Sequence, residues 1–266
     1  MTTTPQWKTE HGDKTAPERE ILRTVVGSEV HGIGIPGTDD HDEMGVYVET
    51  PQQVLGIGFT KQHYTARTVP EGHRSRHGDT DLVMYSLRKY VGLVATGNPT
   101  ALLPIYAPEA DVLACTDLGR SLRQFGPSLM SKQAGRRFLG YLHAQRARLL
   151  GQDRRHVPNR PELVAEHGFD TKYASHAVRL GMQGVEVMRS GQLTLPLREA
   201  DRELVLDVKR GKFTLDEAME LIDGYAAELQ AALNDDNSWL PDRPDLTMVN
   251  DWLAAAHRAY WEGTKR

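Results

Sequence analysis

GSEVHGIGIPGTDDHDEMGVYV, residues 27–48, is the stretch on which the reading of this chain turns. It holds five glycines, a proline and five acidic residues, and it is flanked by two apolar runs, ILRTVV (21–26) and MGVYVET (44–50), that read as β-strands. Asp40 and Asp42 are two positions apart, so on a strand they share a face at ~6.6–6.8 Å along the chain. Carboxylates so placed repel unless a cation lies between them, and a pair of divalent ions ~3.5–4 Å apart, taking oxygen ligands, answers that need. Gly27 and Ser28 follow the first strand. A glycine there lets the backbone approach a phosphate closely, and a serine hydroxyl and amide can bind its oxygens. Taken singly, a Gly-Ser pair is most often a turn, and TDDHDE is most often a solvated turn. The order strand, Gly-Ser, flexible connection through Gly32, Gly34 and Gly37, Asp-x-Asp-x-x-Gly-Val, strand is what specifies a phosphate cradle followed by a metal-binding pair.

The surroundings are those of an ordinary soluble chain. It has 266 residues, 39% hydrophobic and 26% charged, enough for one large domain or two modest ones. No run approaches the ~20 apolar residues of a membrane span. The polar N-terminus lacks the apolar core of a signal peptide, so a cytoplasmic protein without a membrane partner is expected, with residues 1–17 as a flexible arm. The single cysteine, Cys115, excludes an internal disulfide framework and a Cys-based zinc site. A net charge of −4 argues against a wholly basic nucleic-acid wrapper and leaves room for a local basic groove.

A third strand is expected at DLVMY (81–85), and the Gly-, His- and Arg-rich segment 56–81 before it reads in part as a mobile loop. SLRKYVGLVATGNP (86–99) reads as a helix, with Ser86 to cap it and Gly97 and Pro99 to end it. From about residue 117 the pattern is helical, with helices expected over 133–151, 171–191, 214–235 and 248–266; Thr214 and Glu217 form a capping box at the third. The expected fold is α+β: a core with a short mixed sheet over residues 18–118, then a helical domain over 119–266.

Residues 25–48, VVGSEVHGIGIPGTDDHDEMGVYV, resemble the signature of the nucleotidyltransferase superfamily that includes DNA polymerase beta: strand, Gly-Ser, short helix, then two acids separated by one residue on the next strand. The match sets the metal-binding pair at Asp40 and Asp42. Thr38 in place of the usual serine and the extra Asp39 are departures, and a pairing through Asp39 is disfavoured by its distance to Gly45-Val46. GFDTKYASHAVRLGMQGVEVMRSGQL (168–193) and YSLRKYVGLVATGNPTALLPIY (85–106) resemble the RNA ligase-associated, polymerase-beta-like family of predicted nucleotidyltransferases. The likeness runs from about residue 20 to about 215.

That resemblance implies a third acid on a neighbouring strand, to bind metal and take the proton from the attacking hydroxyl. Asp81, directly before the apolar strand, fits best, with Asp79 as the alternative. Lys172, His176 and Arg179 fall at i, i+4 and i+7, one helical face. On spacing alone this is a solvated basic face or a helix contact; with the resemblance it is a stripe for a triphosphate or the departing pyrophosphate. Residues 132–160 carry eight basic residues against one acid, Asp153. That suits a phosphate backbone, or an Arg-rich helix paired with acids elsewhere. His63, His73 and His77 do not make a zinc site, because Pro70, Gly72 and Gly78 break the helix that would gather them.

The resemblance thus implies transfer of a nucleoside monophosphate from a nucleoside triphosphate to a hydroxyl, with an RNA 3′ end as the acceptor in RNA repair. Two Mg²⁺ ions, or Mn²⁺ in their place, would sit on Asp40, Asp42 and Asp81, and Gly27 and Ser28 would hold phosphates. The rival readings are nucleotidylation of a protein or small molecule, and a nucleotide- or RNA-binding module without catalysis. The sequence leaves the oligomeric state open.

Overall fold

The computed structural model of the chain describes residues 6–35, 37, 40–58, 61–70, 72–73, 78–152 and 160–263. It divides into two compact units. The first comprises Met1–Ala95, Thr100–Leu129 and Asp245–Arg266; the second comprises Thr96–Pro99 and Met130–Pro244.

The first unit is built on a mixed six-stranded sheet, so the α+β expectation holds. Its strands are β1 (Thr9–Gly12), β2 (Glu20–Val25), β3 (His41–Tyr47), β4 (His63–Arg67), β5 (Thr80–Ser86) and β6 (Val112–Cys115). The order across the sheet is β1-β4-β5-β3-β2-β6. β3 and β5 run parallel, and every other neighbouring pair is antiparallel. β5 shows the two-residue period: Thr80, Leu82, Met84 and Ser86 are buried, whereas Asp81, Val83 and Tyr85 are only partly so. On the buried face Leu82 and Met84 pack with Tyr47, Tyr64, Ala66 and Ala16, and Trp7 closes the edge of that cluster. Around the sheet lie α1 (Gly27–Val30), α2 (Pro51–Leu55), α3 (Leu87–Ala95), α4 (Leu103–Tyr106) and α5 (Asp117–Phe125).

Two boundaries expected from the sequence need correction, and a strand lies within the segment read in part as a loop. Residues 1–17 are not all a flexible arm: Thr9–Gly12 pairs with β4, and Ala16 is fully buried. A polar tetrapeptide holds there because the ladder to β4 and the packing of Trp7 outweigh its weak strand propensity. The segment 56–81 contains β4, whose Tyr64 and Ala66 point into the core. The division at 118/119 also shifts. α5 packs on β2, with the Thr116 amide donating to the Ile21 carbonyl at 2.9 Å.

The second unit contains α6 (Lys132–Leu149), α7 (Pro161–His167), α8 (Thr171–Ser190), α9 (Glu199–Lys209) and α10 (Leu215–Asn234). The last helix, α11 (Leu246–Gly263), belongs to the sheet unit, not the helical one. Trp252 stacks on Phe125 with centroids 4.7 Å apart, and the Trp261 indole N–H donates to the Glu49 carbonyl at 2.7 Å. His257 Nε2 lies 3.1 Å from Glu49 Oε2, both side chains being buried. α8 is the centre of the helical unit and packs against α6, α9 and α10. Asp170 caps it, accepting from the Lys172 and Tyr173 amides. A Cβ on Gly184 would lie 2.6 Å from Leu229 Cδ2 and 2.8 Å from Phe138 Cβ, so glycine there lets two helices close on the third. The Thr214–Glu217 capping box forms as expected.

Candidate active site

The parallel pairing of β3 and β5 sets Asp42 directly beside Asp81 in register, and Asp40 lies just before β3 begins. Asp40, Asp42 and Asp81 each offer a carboxylate oxygen, and these atoms all lie within 4.8 Å of one another. Among the described residues they form the cluster of ligating side chains that could share an ion. At that separation each pair of charges repels by about 1 kcal/mol in water and about 3.5 kcal/mol at an effective dielectric of ~20. The cluster is partly buried, so the repulsion between Asp40 and Asp42 lies between those limits and favours a cation, whereas Arg67 offsets the charge of Asp81.

Asp42 and Asp81 are fixed by their strands. The Val26 amide donates to the Asp42 carbonyl at 2.8 Å, tying the end of β2 to the acid. Gly27 follows with φ +68°, and a Cβ there would lie 2.3 Å from Asp42 Oδ2. Glycine is therefore required twice, for the left-handed backbone and for the space beside the carboxylate. Ser28 is the second residue of α1 and half-buried; its carbonyl accepts from the Ile33 amide at 3.0 Å, closing the turn that follows.

Asp81 is held by a residue that the sequence reading missed. Arg67, its register partner on β4, donates from Nε to Oδ1 at 2.9 Å and from a terminal nitrogen to Oδ2 at 3.2 Å. This forked pairing fixes the carboxylate plane. Asp79 is engaged elsewhere: Thr68 donates to its carboxylate at 3.3 Å, and its carbonyl accepts from the His41 amide. Asp39 and His77 lie outside the described residues.

His41, between the two acids, points to the opposite face of β3. It bridges Glu29 Oε2 at 2.6 Å and Glu43 Oε1 at 3.3 Å. The hydrogen bond with Glu43, helped by Glu29 and opposed by burial, lifts its pKa to about 9. Arg23 extends the brace, reaching Glu43 at 2.7 Å and Glu20 at 2.9 Å. The two-residue period carried the signal: a histidine between two facing acids must face away from them, beside Glu43.

In the helical unit, Lys172, His176 and Arg179 do share one face of α8. The surroundings of His176 disfavour its cationic form. Burial, then Arg179, Lys172, Arg160 and Lys209, hold its pKa well below the usual imidazole value. Burial also brings Arg179 down to about 10, and its guanidinium donates to Gln183 at 2.9 Å. Arg160 pairs with Asp170 at 3.2 Å and lies over the Tyr173 ring. The stripe thus sets an imidazole whose charged form is disfavoured among four basic side chains, Arg179, Lys172, Arg160 and Lys209.

Residues 6–255 match the family described as the RNA repair pathway DNA polymerase beta family (RlaP). The chain belongs to that family. An uncharacterised 38.9 kDa protein of the nrdC-mobD intergenic region of Enterobacteria phage T4 is 30% identical over 103 residues. The match covers 37% of this chain and 30% of the phage protein, so the chain spans under a third of that relative. No solved structure is significantly similar.

Membership of the RNA repair polymerase-beta family supports a nucleotidyltransferase-type role. Its members' need for divalent metal fits the donors present: three carboxylates suit hard cations such as Mg²⁺ and Mn²⁺. No described helix is long and apolar enough to cross a membrane. Part of the basic stretch 132–160 is engaged within its own unit. Arg146 makes a forked pair with Asp223, Arg136 reaches Asp242, and Lys132 donates to the Asp235 carbonyl. Arg154 and Arg155 lie outside the described residues.

Proposed function

We propose that the protein transfers a nucleoside monophosphate from a nucleoside triphosphate to the 3′-hydroxyl of an RNA strand, releasing pyrophosphate. One observation carries this reading: the oxygens of Asp40, Asp42 and Asp81 gather within 4.8 Å beside the Gly27-Ser28 turn. Asp40, Asp42 and Asp81 would hold two Mg²⁺ or Mn²⁺ ions, which supply Lewis-acid activation of the α-phosphate and neutralise charge on the leaving group. The acceptor oxygen forms a bond to the α-phosphorus, and the bond from that phosphorus to the β-phosphate bridging oxygen breaks. The acceptor proton passes to the Asp81 carboxylate, which Arg67 orients. Gly27 opens the space for a phosphate, and the Ser28 hydroxyl and amide bind its oxygens. Within the helical unit, the Lys172, His176 and Arg179 stripe is assigned to binding phosphate charge.

The test is incubation of the protein and Mg²⁺ with each labelled triphosphate and a panel of RNA, DNA, protein and small-molecule acceptors. Label gained by RNA, and lost in Asp42→Asn, supports the reading. Label gained by a protein or small molecule alone transfers the assignment to that acceptor, and no label on any acceptor refutes catalysis.

A further inference from the structure

We propose that the open face of β1, β4 and β5 is the track of the acceptor RNA, and that a basic cavity at its far end grips the strand's phosphates. This rests on the nucleotidyl-transfer reading of the aspartate site and locates its acceptor. The alternation along the strands puts Asp81, Val83 and Tyr85 on one face, with Arg67 and His63 beside them on β4 and His11 beyond on β1. None of these side chains is buried. The same face therefore runs from the aspartate cluster to a cavity of about 660 Å³ whose lining includes His11, Lys61, His63, Tyr85, Arg88 and Lys89. Among the described residues no carboxylate lines it.

The charge is placed against local cost. Arg88 and Lys89 occupy the first turn of α3, which contains no acid. Cations at a helix N-terminus oppose the helix dipole. The amides of that turn are already used: Lys89 N–H donates to Ser86 Oγ and Arg88 N–H to Glu49 Oε2. The side chains, not the helix end, make the site. Lys61 adds a third cation, and no ion pair is formed by Lys61, Arg88 or Lys89 among the described residues. A polyanion relieves this concentration of charge; a base stacking on the partly exposed Tyr85 suits a single strand. Tyr85 lies four residue steps along β5 from Asp81, ~13 Å at the strand rise.

The test measures binding of a 5′-fluorescent single-stranded octaribonucleotide by anisotropy, with neither nucleotide nor metal present, for the full chain and for the triple variant Lys61→Gln, Arg88→Gln, Lys89→Gln. Each single-strand phosphate contact contributes ~0.7 to the slope of log affinity against log salt. Loss of three lowers the slope by ~2 and the affinity about 100-fold at 0.1 M salt. The melting temperature should hold or rise, because cations leave a helix start. Lys61→Gln alone, outside any helix or strand, should cost about fivefold, and it decides the matter if the triple variant melts early. A triple variant that binds with wild-type affinity and slope, or a wild-type chain that does not bind the octamer at low salt, overturns the proposal. Binding that depends on these residues, in a protein that transfers no nucleotide, would strike the transferase reading and leave this site standing. Transfer to RNA by the triple variant at an unchanged KM for RNA would do the reverse.

Discussion

Replacing Gly27 by alanine separates the backbone's part in the site from the carboxylates' part. An alanine at φ +68° pays the left-handed penalty, about 1–2 kcal/mol. Its Cβ would also stand 2.3 Å from Asp42 Oδ2, a distance no real contact sustains, so the Asp42 carboxylate is expected to turn away from its place in the cluster. The first effect lowers the melting temperature by roughly 2–8 °C at ~2–4 °C per kcal/mol. The second removes the stabilisation given by Mn²⁺, which for the wild-type chain is about 2.7 kcal/mol at a hundred times the dissociation constant. Thermal melts with and without Mn²⁺ read both. Asp42→Asn should lose the metal-dependent shift without the backbone cost, and Ser28→Ala should retain the shift. A Gly27→Ala protein with the full Mn²⁺ shift would refute the claim that this glycine makes room for the ligand.

Asp81→Asn should lower nucleotide transfer by about 10²–10⁴-fold while triphosphate binding persists, measured by single-turnover kinetics beside equilibrium binding. The His257–Glu49 pair should make stability depend on pH. The Glu49 and Leu253 oxygens outweigh burial and Arg88, so the pKa of His257 is raised. Its contribution is complete below about 6.5 and falls as pH rises through the raised value. Burial of Glu49 is outweighed by hydrogen bonds from His257 and Ser86, so its pKa is lowered; its contribution is lost as pH falls from about 4.5 through the folded value. Stability from this pair should therefore peak between about pH 4.5 and 6.5, and His257→Gln should flatten the alkaline side of a melting-temperature profile. Gly184→Val should destabilise the helical unit by about 1–3 kcal/mol, read by chemical denaturation, because α6 and α10 both close on that position.

The parts of this fold that sequence exposes are those where one residue type has one physical use. Asp40, Asp42 and the apolar run after Asp81 were legible because a two-residue period fixes which side chains share a face, and register then joined them across β3 and β5. Thr214 and Glu217 were legible because a capping box is local. β1 and β4 were not, since their short, half-polar sequences gain strand structure from each other's hydrogen bonds and from burial of Tyr64 and Ala66. Arg67 was hidden within β4 for the same reason. The return of α11 to the sheet unit depends on Glu49 meeting His257 across 208 positions, which no local pattern records. The ionisation of His176 was equally hidden, because spacing shows three potential cations whereas burial decides which are charged.

The most direct test of the central claim is anomalous diffraction from crystals soaked in Mn²⁺. The account predicts anomalous density within coordination distance of Asp40, Asp42 and Asp81, beside the Gly27-Ser28 turn. Those three carboxylates without Mn²⁺, in crystals where the ion binds elsewhere on the chain, would contradict it.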